Sequence, residues 1–240
     1  MTRRAVTSTR ILREFIRESI AGDMSRKVGE KLQKAQEGKL GLFIRKGTNS
    51  ISVTLYDARK LVELCQGPIE DDDGLYHLSE VAPETVVAYL EMLKTEGCGG
   101  AMQVTTSMAK GGLGPLIYDL AMAANPDGIV SDRQAVSDKA YNMYKKMFDS
   151  RPDVTKTELS GECRTWNNPK DDFLNYSYSG GSRIDAGQLM ATHDSVMEEL
   201  SKILGLNVKD LEGQIGAAGW KAGDKEVKKA SEGMMHYHYE

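Results

Sequence analysis

Ala101-Met102-Gln103-Val104-Thr105-Thr106-Ser107-Met108-Ala109-Lys110-Gly111-Gly112-Leu113-Gly114-Pro115-Leu116-Ile117 is the stretch on which the reading of this chain turns. An apolar run reads as a strand, stops at a glycine-rich turn from Ala109 to Gly114, and restarts with helical spacing. A helix that begins straight after a strand presents unpaired backbone N–H groups at the positive end of its dipole, a ready place for an anion such as a pyrophosphate. Glycine lets that backbone come close to a ligand.

Downstream, Pro115 fits the first turn of a helix, and Leu116, Ile117, Leu120, Ala121 and Ala124 recur at helical spacing. Asn125-Pro126-Asp127-Gly128 stops that helix. Ile129-Val130 then reads as a short strand, and Ser137 as the N-cap of a second helix carrying Ala140, Met143, Tyr144 and Met147.

Val104-Thr105-Thr106-Ser107-Met108-Ala109-Lys110-Gly111-Gly112-Leu113-Gly114 resembles the strand and phosphate loop of the GNAT-type N-acetyltransferases, Val-x-Pro-x-x-Arg-Gly-x-Gly-x-Gly/Ala. Ser137 to Phe148 is similar to that family's Asn-x-x-Ala-x-x-x-Tyr-x-x-x-Gly-Phe, one residue short before the Phe. Together the two motifs cover about a fifth of the chain. Ala109 stands where the family places Arg or Gln, Thr106 where it places Pro, and Ser137 where it places Asn; Lys110 offers a positive charge one position later.

The resemblance implies an α/β fold with a mixed, mostly antiparallel sheet flanked by helices, and acyl transfer from acetyl-CoA to an amine. On that reading the backbone of Gln103, Val104 and Thr105 orients the pantetheine arm, Lys110, Gly111, Gly112, Leu113 and Gly114 hold the pyrophosphate, and Ser137 stands at the family's Asn position. Tyr144 matches the tyrosine that protonates the leaving sulfur, and a phenol of pKa ~10 suits a donor at neutral pH. The same residue also reads as one more ring on the apolar side of its helix. His77 and Glu80 are the nearest candidates for a base, in a segment read as a strand.

Around this core, Leu40 to Arg45, Ile51 to Tyr56 and Lys60 to Cys65 read as an antiparallel meander, with Lys46-Gly47-Thr48-Asn49 as its first turn. Glu70-Asp71-Asp72-Asp73-Gly74 reads as an acidic loop, either solvated or recruiting a cation, and Leu75 to Val81 as a further strand. Pro83-Glu84-Thr85 reads as the start of a helix through Val86, Val87, Leu90 and Leu93, an insertion where a GNAT domain has a hairpin. After Asp149 the chain is polar, with one strand at most around Leu174, Tyr176 and Tyr178, and then a helix from Ala186 to Leu204 ended by Gly205. The last thirty or so residues read as a partly ordered arm with Trp220 as an anchor to the domain or to a partner.

Composition sets the outer bounds. The chain has 240 residues, 40% of them hydrophobic and 28% charged, enough for one core with extensions. No run approaches the roughly 20 apolar residues of a membrane span, and the N-terminus lacks the apolar core of a secretory signal. The net charge of −4 argues against nucleic acid as a partner. Cys65, Cys98 and Cys163 are three and widely spaced, which argues against a disulfide framework or a zinc site and for a reducing cytoplasm. No metal site is expected; His236 and His238 read as part of a tail. No Walker loop, full dinucleotide fingerprint or serine nucleophile elbow is present.

The expected organisation is a basic amphipathic helical arm over 1–37, an acetyltransferase-like α/β domain over 38–159, and an extension over 160–240 with one helix and a flexible tail. In the arm, Ile11-Leu12, Phe15-Ile16 and Ser19-Ile20 form one apolar face opposite Arg10, Arg13 and Arg17, suited to packing on this domain or a partner, or to a membrane surface or nucleic acid. Two function classes follow. One is an N-acetyltransferase using acetyl-CoA on a small-molecule or protein amine. The other is a non-catalytic structural or interaction protein on the same fold, assembling through its arm and tail, for example in a bacteriophage virion.

Overall fold

The protein is described here by a computed structural model covering residues 39–66, 74–181 and 186–231, with Gln33 and Glu37 before them. The arm's helix at Thr9 to Ile20, the acidic residues Glu70 to Asp73, and His236 and His238 lie outside the described residues.

Strands β1 (Leu40–Lys46) and β2 (Ser50–Asp57) form the expected hairpin, paired antiparallel from Leu40 opposite Asp57 to Lys46 opposite Ile51. Two helices follow, α1 (Ala58–Cys65) and α2 (Gly74–Thr85), then strands β3 (Val86–Lys94) and β4 (Met102–Ala109). Helix α3 (Gly114–Ala124) leads to β5 (Ile129–Val130), and α4 (Asp138–Ser150) to β6 (Val154–Glu158). Strand β7 (Tyr176–Gly180) and helices α5 (Gly187–Leu204) and α6 (Val208–Ser231) complete the described chain. The strands form one seven-stranded sheet in the order β1-β2-β3-β4-β5-β7-β6, antiparallel throughout except between β4 and β5. This is the mixed, mostly antiparallel sheet flanked by helices that the sequence implies, and it is consistent with a GNAT-like fold.

Several expected elements change identity. Lys60 to Cys65 is helical, because Asp57 caps the turn by accepting from the Lys60 N–H at 2.9 Å, and Ala58, Leu61 and Cys65 bury at a helical spacing. Leu75 to Val81 belongs to α2, with Leu78 and Ala82 buried four apart. Pro83 ends rather than starts a helix. It has no N–H for the Ser79 carbonyl, which instead accepts from Lys221 Nζ at 3.4 Å, and Thr85 turns its hydroxyl back onto the Ala82 carbonyl at 2.7 Å. Val86 to Lys94 is then a central strand between β2 and β4, joined to β4 by a hairpin in place of the expected inserted helix.

The boundary expected at 159/160 does not divide the sheet. β7, from the supposed extension, pairs with both β5 and β6. Two strands, not one, come from the polar region, because β6 and β7 pair from Val154 opposite Gly180 to Glu158 opposite Tyr176. The flexible tail is, through Ser231, the helix α6. Cys98 and Cys163 form a disulfide with Cα atoms 5.3 Å apart, correcting the expectation that the cysteines stay unpaired. Such a bond is typical of oxidising compartments. Among the described residues no helix is long and apolar enough to cross a membrane.

Helices cover both faces of the sheet. α3 and α4 pack on the side of Leu42, Val53, Leu55, Ala88, Leu90 and Met92. α1, α2, α5 and α6 pack on the side of Tyr56, Val86, Tyr89 and Met108. Helix α6 lies closest where it carries glycine. A Cβ on Gly219 would meet Thr54 Oγ1 at 2.5 Å and Tyr89 Cδ2 at 2.7 Å, and one on Gly223 would meet Tyr89 Cδ1 at 2.6 Å and Thr106 Cγ2 at 2.9 Å.

Two buried polar groups stitch the layers. Arg151, at the end of α4, grips Asp119 of α3 with both terminal nitrogens at 3.1 Å and Asp153 through Nε at 2.8 Å and Nη2 at 2.6 Å. Burial works against its charge, but the hydrogen bonds it donates to Asp153 and Asp119 prevail and hold the guanidinium above its ordinary pKa. His193 of α5 shares a 2.8 Å hydrogen bond between Nδ1 and the Tyr56 hydroxyl and stacks on Phe43, while its Nε2 lies 3.8 Å from Glu212 of α6. Burial lowers the His193 pKa, against the pull of Glu212 and Asp194.

Asp119→Ala, which leaves the buried Arg151 with Asp153 as its one carboxylate partner among the described residues, is expected to cost about 1.5–3 kcal/mol in urea unfolding, against about 1 kcal/mol or less for Glu158→Ala, whose partner Arg164 is exposed. Because His193 is held neutral in the fold, the unfolded chain binds its proton more readily. Stability from this residue is complete above the unfolded pKa of about 6.5 and falls as the pH drops below it. His193→Gln is expected to flatten the stability profile between about pH 7 and 5.

Candidate functional site: the opening between strands β4 and β5

β4 and β5 run parallel for only two pairings, Met102 with Ile129 and Gln103 with Val130. Beyond them β4 continues to Ala109 while β5 ends, leaving that edge of β4 from Val104 onward with no strand beside it among the described residues. The opening starts beside an irregularity: Thr106 lies opposite Glu91 and Val104 opposite Met92, so Thr105 is an extra residue bulged out of the ladder. Bulges of this kind re-aim side chains and gather beside active sites. The Thr105 hydroxyl reaches the Glu91 carbonyl at 3.5 Å.

At the far end of β4 the expected turn is present. Lys110 closes it by donating its N–H to the Val87 carbonyl at 2.8 Å, and Leu113 N–H returns to the Lys110 carbonyl at 3.1 Å. Gly111 and Gly112 take φ of 58° and 75°, a region that favours glycine. Both are exposed, and helix α3 starts at Gly114 with no side-chain cap from Leu113. Lys110 does not point its charge along the turn; its Nζ donates to the Val86 carbonyl at 2.8 Å.

Tyr144 comes to the base of the opening. Its hydroxyl donates at 3.0 Å to the carbonyl of Val130, the last residue of β5 and the partner of Gln103. The ring is buried, edge-on to Tyr118 at 5.7 Å and tilted against Tyr178 at 5.5 Å. Burial raises the Tyr144 pKa well above its ordinary value, with Arg133 pulling the other way. Tyr118 extends the row, its hydroxyl 3.2 Å from Ser107 Oγ on β4 and its pKa pushed up to about 12 by burial. The lip beyond β5 is held by Arg133, which donates to the carbonyls of Ser131 at 2.9 Å, Cys163 at 3.0 Å and Leu174 at 2.8 Å, and to the Ser131 hydroxyl.

Other candidates fall elsewhere. Ser137 caps α4, accepting from the Ala140 N–H at 3.3 Å. His77 and Glu80 lie on α2 rather than on a strand, and His77 donates Nε2–H to the Leu64 carbonyl at 3.1 Å as a tie between α2 and α1. Trp220 does not anchor α6 to the domain, since 54% of it is exposed. Cavities of about 570 Å³ between α1 and α5 and about 350 Å³ beside Arg164 and Trp166 are lined by residues away from the opening.

Sequence reasoning passed over Glu91. Tyr89 belongs to the core on the α6 side of the sheet, so Glu91, two residues on, shares that face, opposite the face of Tyr144. Burial raises its pKa. A lone glutamate in the run Ala88-Tyr89-Leu90-Glu91-Met92-Leu93 was the available signal once that run was read as a strand.

Compared with known proteins, the chain matches no family model, no curated protein and no solved structure.

Tyr144→Phe keeps the ring contacts and removes the bond to Val130. It is expected to lower stability by about 0.5–1.5 kcal/mol in urea unfolding.

Proposed function

We propose that the protein transfers an acyl group from acetyl-CoA to an amine. The observation that carries this reading is the opening itself: a parallel strand pair parts after two pairings, beside a bulge, on a strand that ends in a glycine turn and a helix N-terminus. The residues fit the donor as the sequence motif implies. The backbone of Gln103 to Thr105 would hold the pantetheine arm. The turn from Lys110 to Gly114 would hold the pyrophosphate, with backbone N–H groups and the helix dipole supplying the attraction. Bound acetyl-CoA would supply an activated thioester.

The two faces of the opening divide the proton chemistry. Glu91, on the α6 face, is the candidate to take a proton from an incoming ammonium, and a carboxylate raised toward neutrality by burial is a better base than an ordinary one. Tyr144, on the other face, is kept protonated by burial and is the candidate donor to the departing sulfur. For that it must exchange its bond with the Val130 carbonyl for one to sulfur. A second reading, an interaction protein without catalysis, is favoured by the exposed Trp220 and by the Tyr144 hydroxyl being already engaged.

Calorimetric titration with acetyl-CoA tests the first reading, using Gly112→Glu to place a carboxylate at the turn. Gly112→Asn serves as control, since Asn tolerates the left-handed backbone and adds no charge. The expected outcome is binding that weakens at least about tenfold in Gly112→Glu and much less in Gly112→Asn. No binding by the natural chain sinks the acyl-transfer reading and favours the second.

A further inference from the structure

We infer that the second half of α6, from Gly219 to Ser231, is a strap that lies over the acceptor face of the opening and lifts to admit the amine. The inference rests on the acyl-transfer reading only in naming what enters; the strap itself follows from how α6 meets the sheet.

The two halves of α6 are held differently. The first half is anchored by Leu211, Ile215 and Ala218, each at most 2% exposed and packed with Leu200, Met197 and Tyr56. The second half turns Gly219 and Gly223 to the sheet, where glycine brings no side chain to bury, and its side-chain ties are slighter: the partly buried Ala222 and an exposed bond from Lys221 Nζ to the Ser79 carbonyl. Glycine also weakens the helix, by about 1 kcal/mol per residue relative to alanine.

What this half covers is the buried ring of Tyr89 and, beside it, a polar row. Pairing across the strands sets Arg45 beside Ser52, Ser52 beside Glu91 and Glu91 beside Thr106, one row across the sheet. Gly223 sits against Thr106, and Gly219 against the Thr54 hydroxyl, which is fully buried with no hydrogen-bond partner among the described residues. An unpaired buried hydroxyl penalises the closed arrangement and would recover its hydrogen bond from water or a polar ligand once the helix lifts. Close backbone packing favours closure, and the stranded hydroxyl opposes it. That opposition is the condition for a local opening well below the cost of global unfolding. Lifting the strap off Thr106 widens access to its strand partner Glu91, the candidate base, which is only partly exposed in the closed arrangement.

Access to Glu91 tests this without any acyl donor. Thr106→Cys with Gly223→Cys places a cross-link where a Cβ on Gly223 already approaches the Thr106 side chain. Carbodiimide coupling of glycinamide to Glu91 is then followed by peptide mass spectrometry. The exposed Glu84 serves as internal reference, and the natural chain under the same reductant controls for Cys98–Cys163. Oxidised, the variant is expected to label Glu91 at least about tenfold more slowly than when reduced. Gly223→Ala, which crowds Tyr89 and Thr106, is expected to label several-fold faster than the natural chain and needs no cross-link. Equal rates in locked and unlocked protein, no labelling of Glu91 in either, or no acceleration in Gly223→Ala would each overturn the strap. Loss of acetyl-CoA binding alone would leave these rates unchanged and count only against the acyl-transfer reading.

Discussion

Two parallel pairings, Met102 with Ile129 and Gln103 with Val130, join four antiparallel strands to three others, and much of this structure depends on that narrow seam. Two pairings do little by themselves to fix the angle between the halves. The rest is supplied on either side. Helix α3 crosses from β4 to β5, and its Asp119 is held by the buried Arg151 at the end of α4. The Cys98–Cys163 bond ties the β3–β4 hairpin to the turn after β6, closing a separation of 65 residues. In the chain-entropy account a link of that span contributes about 4 kcal/mol. With both ties in place the halves diverge at Val104 and the opening is a fixed feature of the sheet.

The same seam gives the opening two unlike faces. Side chains alternate along β3 and β4, so a gap in the sheet is lined by one set of residues above and another below. On the α3 side these are the rings of Tyr118 and Tyr144, kept protonated by burial. On the α6 side Thr106 lies against Gly223 of the helix, with Glu91 as its partner on the next strand, β3. On the proposed reading, Glu91 on one face would accept a proton and Tyr144 on the other would donate one.

The region from Met102 to Ser150 was largely legible from sequence because its signals are local. A glycine turn with two positive-φ residues, Pro115 in the first turn, the Asn125-Pro126-Asp127-Gly128 stop and the Ser137 cap each act within a few residues of themselves. The segment from Lys60 to Leu93 was misread for two different reasons. Ala58, Leu61, Val62 and Cys65 carry a helical repeat behind the capping Asp57, a signal present but taken for alternation. Val86 to Leu93 fits both periods, and its strand form comes from pairing on both edges with β2 and β4, which no local property specifies. Of the candidate site, the turn and Tyr144 were readable as motifs. The engagement of Lys110 with Val86 and the place of Glu91 were not, since each depends on a neighbour distant in sequence.

The α6 helix marks the boundary most clearly. By composition its glycines argue against a helix, because each exposes backbone and adds conformational freedom to the unfolded chain. Folded, those positions are where the helix backbone approaches Thr54, Tyr89 and Thr106, a contact any larger side chain would prevent. The sequence by itself determined the strand, turn and helix around Gly111 and Gly112, because caps, prolines and glycines act on their own backbone. Only the tertiary structure decided that β7 completes the sheet, that Cys98 meets Cys163, that Tyr144 sits where β4 and β5 part, and that a glycine-rich tail becomes a helix across Tyr89 and Thr106. Those outcomes are set by burial and pairing between segments far apart in the chain, and the free energy that selects them exists only once the segments meet.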